Sequence, residues 1–164
     1  RDGLCLIPEG RHIFRTLTVS ENLAMGGSTR RDRAQLNVDI ERVVEMFPIL
    51  ADRYKGIAGN LSGGEQQQLA IARAILQKPR LLMIDEPSLG LAPLVIDQVY
   101  EKLRELNKEG LTLVVVEQST ARVLDLATKV YVLRNGKVAL EAYAASLSSE
   151  TIEHAYFGFS ADAS

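Results

Sequence analysis

The sequence predicts an α/β protein in which a mainly parallel sheet carries an inserted helical segment. Two short apolar runs, 81–84 and 111–116, flank a stretch over 94–107 whose apolar positions 96, 99, 100, 103 and 106 fall on one helical face. That is a βαβ pattern, and strands apolar at every position are expected to be buried on both faces, with a right-handed crossover between them. Residues 10–60 contain no such runs and read as helical. With 164 residues, 46% of them apolar and 24% charged, the chain can bury the core of one domain and is not disordered.

Each element has a local cause. Leu4-Cys5-Leu6-Ile7 reads as a short strand stopped by Pro8 and Gly10. Thr18 and Glu21 form a capping box that starts a helix over 19–25, ended by Gly26-Gly27. Residues 28–33 are a polar, basic connector. Apolar positions 40, 43, 44 and 47 give a helix over 38–47, whose end is constrained by Pro48. A loop with two glycines spans 54–60. Ser62 and Glu65 form a second capping box, and the helix behind it, 63–77, is apolar nearly all round, which predicts burial. Short helices are expected over 121–127 and 148–156. Strands over 130–133 and 137–140 are joined by Asn135-Gly136, a strong hairpin signal, and the tail to Ser164 is expected to fray.

Composition excludes several classes. The formal charge of 19 − 21 = −2 does not suggest a nucleic-acid binder. The longest apolar run is far short of the ~18 residues of a membrane span. The single cysteine, Cys5, cannot pair within the chain. His12 and His154 have no neighbours at metal-ligand spacing. The arginines at 11, 15, 30, 31 and 33 read as a solvated face or a partner contact. The chain opens at Arg1, without Met, and runs at once into an apolar strand, so the polypeptide is expected to begin earlier and this to be its C-terminal part.

Two clusters carry chemistry. In Leu81-Leu82-Met83-Ile84-Asp85-Glu86-Pro87, two carboxylates follow a buried strand at the sheet edge where α/β proteins bind ligands. An apolar run ending in Asp fits the Walker B pattern, with Asp85 serving Mg²⁺ and Glu86 an attacking water. Taken alone, the stretch fits a plain polar strand end equally well. In Leu61-Ser62-Gly63-Gly64-Glu65, free N–H groups at a helix start can bind an anion, and the glycines would let a phosphate approach. A simple capping box uses the same residues, but does not need two glycines.

In that order and separation, LSGGEQQQLAIARAIL and RLLMIDEP resemble the signature motif and Walker B of ATP-binding cassette (ABC) ATPases. The resemblance covers nearly the whole chain. It implies a P-loop NTPase-type core, here incomplete, with an inserted α-helical subdomain. Residues 10–60 would be the Q-loop region and the lobe that docks onto transmembrane permease subunits. Residues 61–145 would hold the signature, Walker B and switch region, and 146–164 a C-terminal helix and tail. IPEGRHIFRTLTVSENLAMGG, EPSLGLAP, VVEQ and IEHAYFG look like the ATPase subunits of branched-chain amino acid importers.

The resemblance further implies ATP and Mg²⁺ as cofactors, with Asp85 on the metal, Glu86 on the water and Gln118 at the γ-phosphate. Leu61, Ser62, Gly63, Gly64 and Glu65 would face the ATP of a second ABC ATPase subunit, identical or different. The complex would sit at the cytoplasmic face of the membrane. Glu9, Ala92 and Gln118 stand where most ABC proteins have Gln, Asp and His. All three resemble one subunit type of these importers. No GxxxxGK[ST] occurs in the sequence, and truncation is the expected reason, so the 164 residues alone are expected not to hydrolyse ATP. A non-transport ABC ATPase of the ribosome-acting or DNA-repair type, or a non-catalytic dimerisation remnant, are the rival readings.

Overall fold

The computed structural model describes residues 3–158. They divide into two compact units, the first ending at Val116 and the second beginning at Glu117. In the first unit, β1 (Leu4–Ile7), β2 (Leu81–Asp85) and β3 (Thr112–Val116) form a parallel sheet in the order β1-β2-β3. The register aligns Leu4 with Leu81 and Leu81 with Thr112, which puts β2 in the centre and sets Asp85 opposite Val116. Side chains alternate across the sheet. Cys5, Ile7, Leu82 and Ile84 are buried on one face.

The other face corrects the expectation of strands buried on both sides. Val114 and Val116 of β3 are 41% and 54% exposed there, and Leu81 and Met83 of β2 are only half-buried. On β1, for which no such burial is expected, Leu4 and Leu6 are 58% and 55% exposed. The strands are apolar on both faces, but the described residues cover only one of them.

The helices follow their local signals. α1 (Val19–Gly26) starts at the expected capping box: the Glu21 amide donates to Thr18 Oγ1 at 3.2 Å, and the Thr18 amide donates to Glu21 Oε2 at 2.7 Å. α2 (Arg33–Met46) begins well before residue 38. Pro48 does more than end a helix, because it opens α3 (Pro48–Asp52) at the first turn. Phe47 sits between them at φ −125 and ψ 79, outside the helical region that the following proline disfavours, and its side chain is buried. A 3₁₀ turn over Ala58–Asn60 leads into α4 (Gly63–Ile75). α4 packs against α1, α2, α3, β1 and α5 (Pro93–Lys108), and Leu69, Ile71 and Ala72 on it are fully buried.

Arg30 departs from the solvated-face reading. Its side chain is only 7% exposed. It pairs with Asp32 and with Asp39 on α2, both at 2.6 Å, and donates to the Leu76 carbonyl past the end of α4 at 3.1 Å. Asp32 precedes α2 but makes no capping bond.

The second unit holds α6 (Thr120–Leu126), β4 (Lys129–Arg134), β5 (Lys137–Tyr143) and α7 (Ser149–Phe157). β4 and β5 form the expected hairpin, with Asn135 and Gly136 both in the left-handed region at φ 51 and 73. Val130, Val132, Ala144 and Ile152 form its core. The expected frayed tail, 159–164, lies outside the described residues.

The Arg30 cluster generates a prediction. The hydrogen bond from Arg30 holds the Asp32 carboxyl down at about 2. Burial pushes the Asp39 carboxyl up, but hydrogen bonds from Arg30, Lys78 and Gln35 outweigh it and hold it below its ordinary value. Both groups bind protons more weakly folded than unfolded, so their stabilisation is complete above the ordinary carboxylate range of ~3.9 and is lost as pH falls towards 2. Arg30→Ala should cost about 1.5–3 kcal/mol at neutral pH, because Asp39 loses its 2.6 Å partner and keeps only Lys78 and Gln35. It should also flatten the acid limb of stability against pH, as read by urea denaturation.

Candidate functional site

The C-terminal ends of the parallel strands lie at one edge of the sheet. Asp85 closes β2 there. Its carboxylate is half-exposed and has no hydrogen-bond or ion-pair partner among the described residues. Glu86, the next residue, is in the left-handed region at φ 46. A non-glycine residue held there costs of order 1–3 kcal/mol. The turn is fixed by the Glu86 amide donating to Val116 O at 3.0 Å and the Leu89 amide donating to Glu86 O at 3.2 Å. Pro87, buried, follows directly. Together these hold Glu86 in a fixed turn directly after Asp85, at the C-terminal edge of the sheet.

Glu9 is exposed in the turn after β1, at the same edge. Gly10, Arg11 and His12 then have φ of 83, 67 and 47, three left-handed residues in a row. The Arg73 guanidinium on α4 donates to His12 O at 2.9 Å and stacks on the Phe14 ring, 4.6 Å from its centroid. Asn22, which motif reading passed over, is fully buried. Its amide donates to Phe14 O and Thr18 O, and its carbonyl accepts from the Phe14 amide, each at 2.9 Å. It fastens the loop after β1 to α1. Its only signal in the sequence is an Asn on the apolar side of a capped helix.

The second cluster sits at the start of α4. Ser62 is exposed and Leu61 buried. The capping box is complete: the Glu65 amide donates to Ser62 Oγ at 3.3 Å, and the Ser62 amide donates to Glu65 Oε2 at 2.7 Å. Both glycines also serve the fold. A Cβ on Gly64 would collide with Val95 Cγ1 on α5, and one on Gly63 would lie 3.3 Å from the Arg11 guanidinium. Close packing therefore requires a glycine at 64, apart from any ligand. Ala92 is the N-cap of α5 and has no side chain to fill that role.

Gln118 lies in the second unit, between β3 and α6. It is exposed, and its amide donates to Glu117 Oε2 at 2.9 Å. No group of three His, Cys, Asp or Glu that could hold a metal exists among the described residues. Asp85 alone fits Mg²⁺ in the manner of a nucleotide site, where one carboxylate combines with phosphate oxygens and waters.

A family profile described as "ABC transporter" matches residues 1–89. The chain belongs to the ABC transporter family. It is 47% identical over 159 residues to the high-affinity branched-chain amino acid transport ATP-binding protein BraG of Pseudomonas aeruginosa, covering 96% of this chain and 68% of that protein. It is 35% identical to the probable branched-chain amino acid transport ATP-binding protein LivF of Archaeoglobus fulgidus, covering 94% of this chain and 64% of the relative. The chain thus spans about two thirds of the length of these curated relatives. An ATP-binding cassette of an ABC transporter solved in its ADP conformation superposes with a TM-score of 0.75 at 24% identity, over 93% of this chain and 63% of that one. An ATP-binding subunit of an ABC transporter gives 0.76 at 26% identity, over 87% of this chain and 60% of that one. The α/β fold with its parallel sheet is therefore that of the ABC ATPases. No helix among the described residues is long and apolar enough to cross a membrane.

The Gly64–Val95 contact makes a prediction in the full-length subunit. Gly64→Ala should destabilise by about 1–3 kcal/mol through overpacking. Val95→Ala in the same chain should recover about 1 kcal/mol of that, read as the coupling in a double-mutant cycle by urea denaturation.

Proposed function

We propose that these residues form the signature and hydrolysis portion of an ATP-binding subunit that drives an importer of branched-chain amino acids. The observation that carries the reading is the edge formed by Asp85 and Glu86, an unpartnered carboxylate followed by a second one held in a strained turn, in the same unit as a capped Leu61-Ser62-Gly63-Gly64-Glu65 helix start. The solute class rests on the names of the two relatives at 47% and 35% identity.

On this reading Asp85 holds Mg²⁺, directly or through water, beside the phosphates of the subunit's own ATP. Bound Mg²⁺ would supply charge neutralisation to the phosphoryl group. Glu86 accepts a proton from the attacking water, and the backbone bonds of its turn hold it beside the metal carboxylate. The family resemblance would give Gln118, in the second unit, a γ-phosphate role with an amide donor but no charge. Glu9 stands where the metal and the permease are sensed. Ser62, with the amides of Gly63 and Gly64, closes on the ATP of the partner subunit, whether identical or different. The helical lobe passes closure to the transmembrane permease, at the cytoplasmic face of the membrane. The phosphate cradle of this machine is a GxxxxGK[ST] loop, which the 164 residues do not contain. The open sheet face is where the remainder of such a core would pack. The 164 residues alone therefore do not turn over ATP.

In the full-length subunit, Glu86→Gln should lower turnover by about 10²–10⁴ while ATP binding survives, because size and hydrogen bonding are kept and only the base is lost. Asp85→Asn should instead weaken the Mg²⁺-dependent part of ATP binding. Steady-state ATPase assays beside equilibrium nucleotide binding separate the two. Near-normal turnover of Glu86→Gln would remove Glu86 from the role of base.

A further inference from the structure

The loop after β1 touches the start of α4 through one side chain. Arg11 Nη2 donates to Leu89 O at 3.3 Å, in the segment that follows Asp85 and Glu86. The same guanidinium lies over Gly63, close enough that a Cβ there would stand 3.3 Å from Nη2 and 3.4 Å from Nη1. Arg11 thus spans three segments distant in sequence: its own strained turn, the loop after β2 and the first residue of α4.

Gly10, Arg11 and His12 are all left-handed, and two of them are not glycine. The turn is held at one end by the Arg11 amide on Pro8 O at 3.2 Å, and at the other by Arg73 on His12 O at 2.9 Å. An open recess of about 130 Å³, lined by Arg11 and His12 of the turn and by Ala70, Arg73 and Ala74 of α4 among others, lies beside it.

We propose that Arg11 is a positioning residue that sets the start of α4 against the loop after β2, and through that bridge fixes where Ser62, Gly63 and Gly64 stand. The inference rests on the reading that those residues close on a partner's ATP. A cation at the positive end of a helix opposes the helix dipole unless an anion shares the site. The place of Arg11 is therefore more favourable in the nucleotide-closed dimer than in the open subunit. Lysine keeps the charge and one donor, but not the planar fork that can lie over Gly63 and reach Leu89 together.

The test uses the full-length subunit in a Glu86→Gln background, where ATP is held without turnover. ATP-driven dimerisation is measured by analytical ultracentrifugation, beside the ATP affinity of the monomer. Arg11→Ala should weaken dimerisation at least about tenfold and leave monomer affinity within about twofold, and Arg11→Lys should recover part of the loss. Dimerisation of Arg11→Ala as tight as that of the parent overturns the proposal. So does a parallel loss of monomer affinity, which would mark a general structural role. If the Glu86→Gln parent fails to dimerise with ATP, the functional reading itself falls, and the positioning role falls with it.

Discussion

A helix buried on nearly every side has to be pinned from several directions at once, and α4 is pinned in this way. Its start is fixed by the Ser62–Glu65 capping box and by Gly64 against Val95. Leu69, Ile71 and Ala72 in its middle are fully buried, and the helix packs against α1, α2, α3, β1 and α5. Past its end, the Leu76 carbonyl is held by Arg30. The loop after β1 lies along it through Arg73. Both candidate clusters take their positions from these contacts. The capped start is α4 itself, and the β2 edge is reached through the sheet face on which α4 packs. Any change that shifts α4 along its axis would move Ser62 relative to Asp85 and Glu86.

The sheet has a different character on its other face. Parallel sheets are normally covered on both sides because both faces are apolar. Here Leu4, Leu6, Val114 and Val116 stand open. Among the described residues β3 pairs only with β2, which leaves its outer edge without a strand.

Much of this was legible in the sequence because its causes are local. Capping boxes act over three residues, so Thr18–Glu21 and Ser62–Glu65 can be read directly. Asn135-Gly136 announces its own turn, and the apolar runs announce β2 and β3. Causes that act across the chain were not legible. Arg30 looks like one of several basic surface residues until Asp39 and Leu76 are brought to it. Gly64 looks like an opening for a ligand until α5 places Val95 beside it. Pro48 suggests an end, but Phe47 before it can also begin a helix. The left-handed backbone at Glu86, Arg11 and His12 has no residue signature, because none of them is a glycine. The motif residues themselves were legible through family resemblance, while their strained and packed settings came only from the fold.

We propose that the start of α4 acts on the nucleotide of a second subunit and not on its own. Ser62 is exposed and its side chain contacts only its own capping box, so Ser62→Arg should perturb a partner's site at the cost of little more than a cap. The decisive measurement is ATP affinity of the full-length monomer beside ATPase turnover of the assembled transporter, for wild type and Ser62→Arg. The account predicts near-normal monomer affinity with turnover abolished. Monomer affinity lost as severely as turnover would contradict it, because α4 would then face its own subunit's ATP.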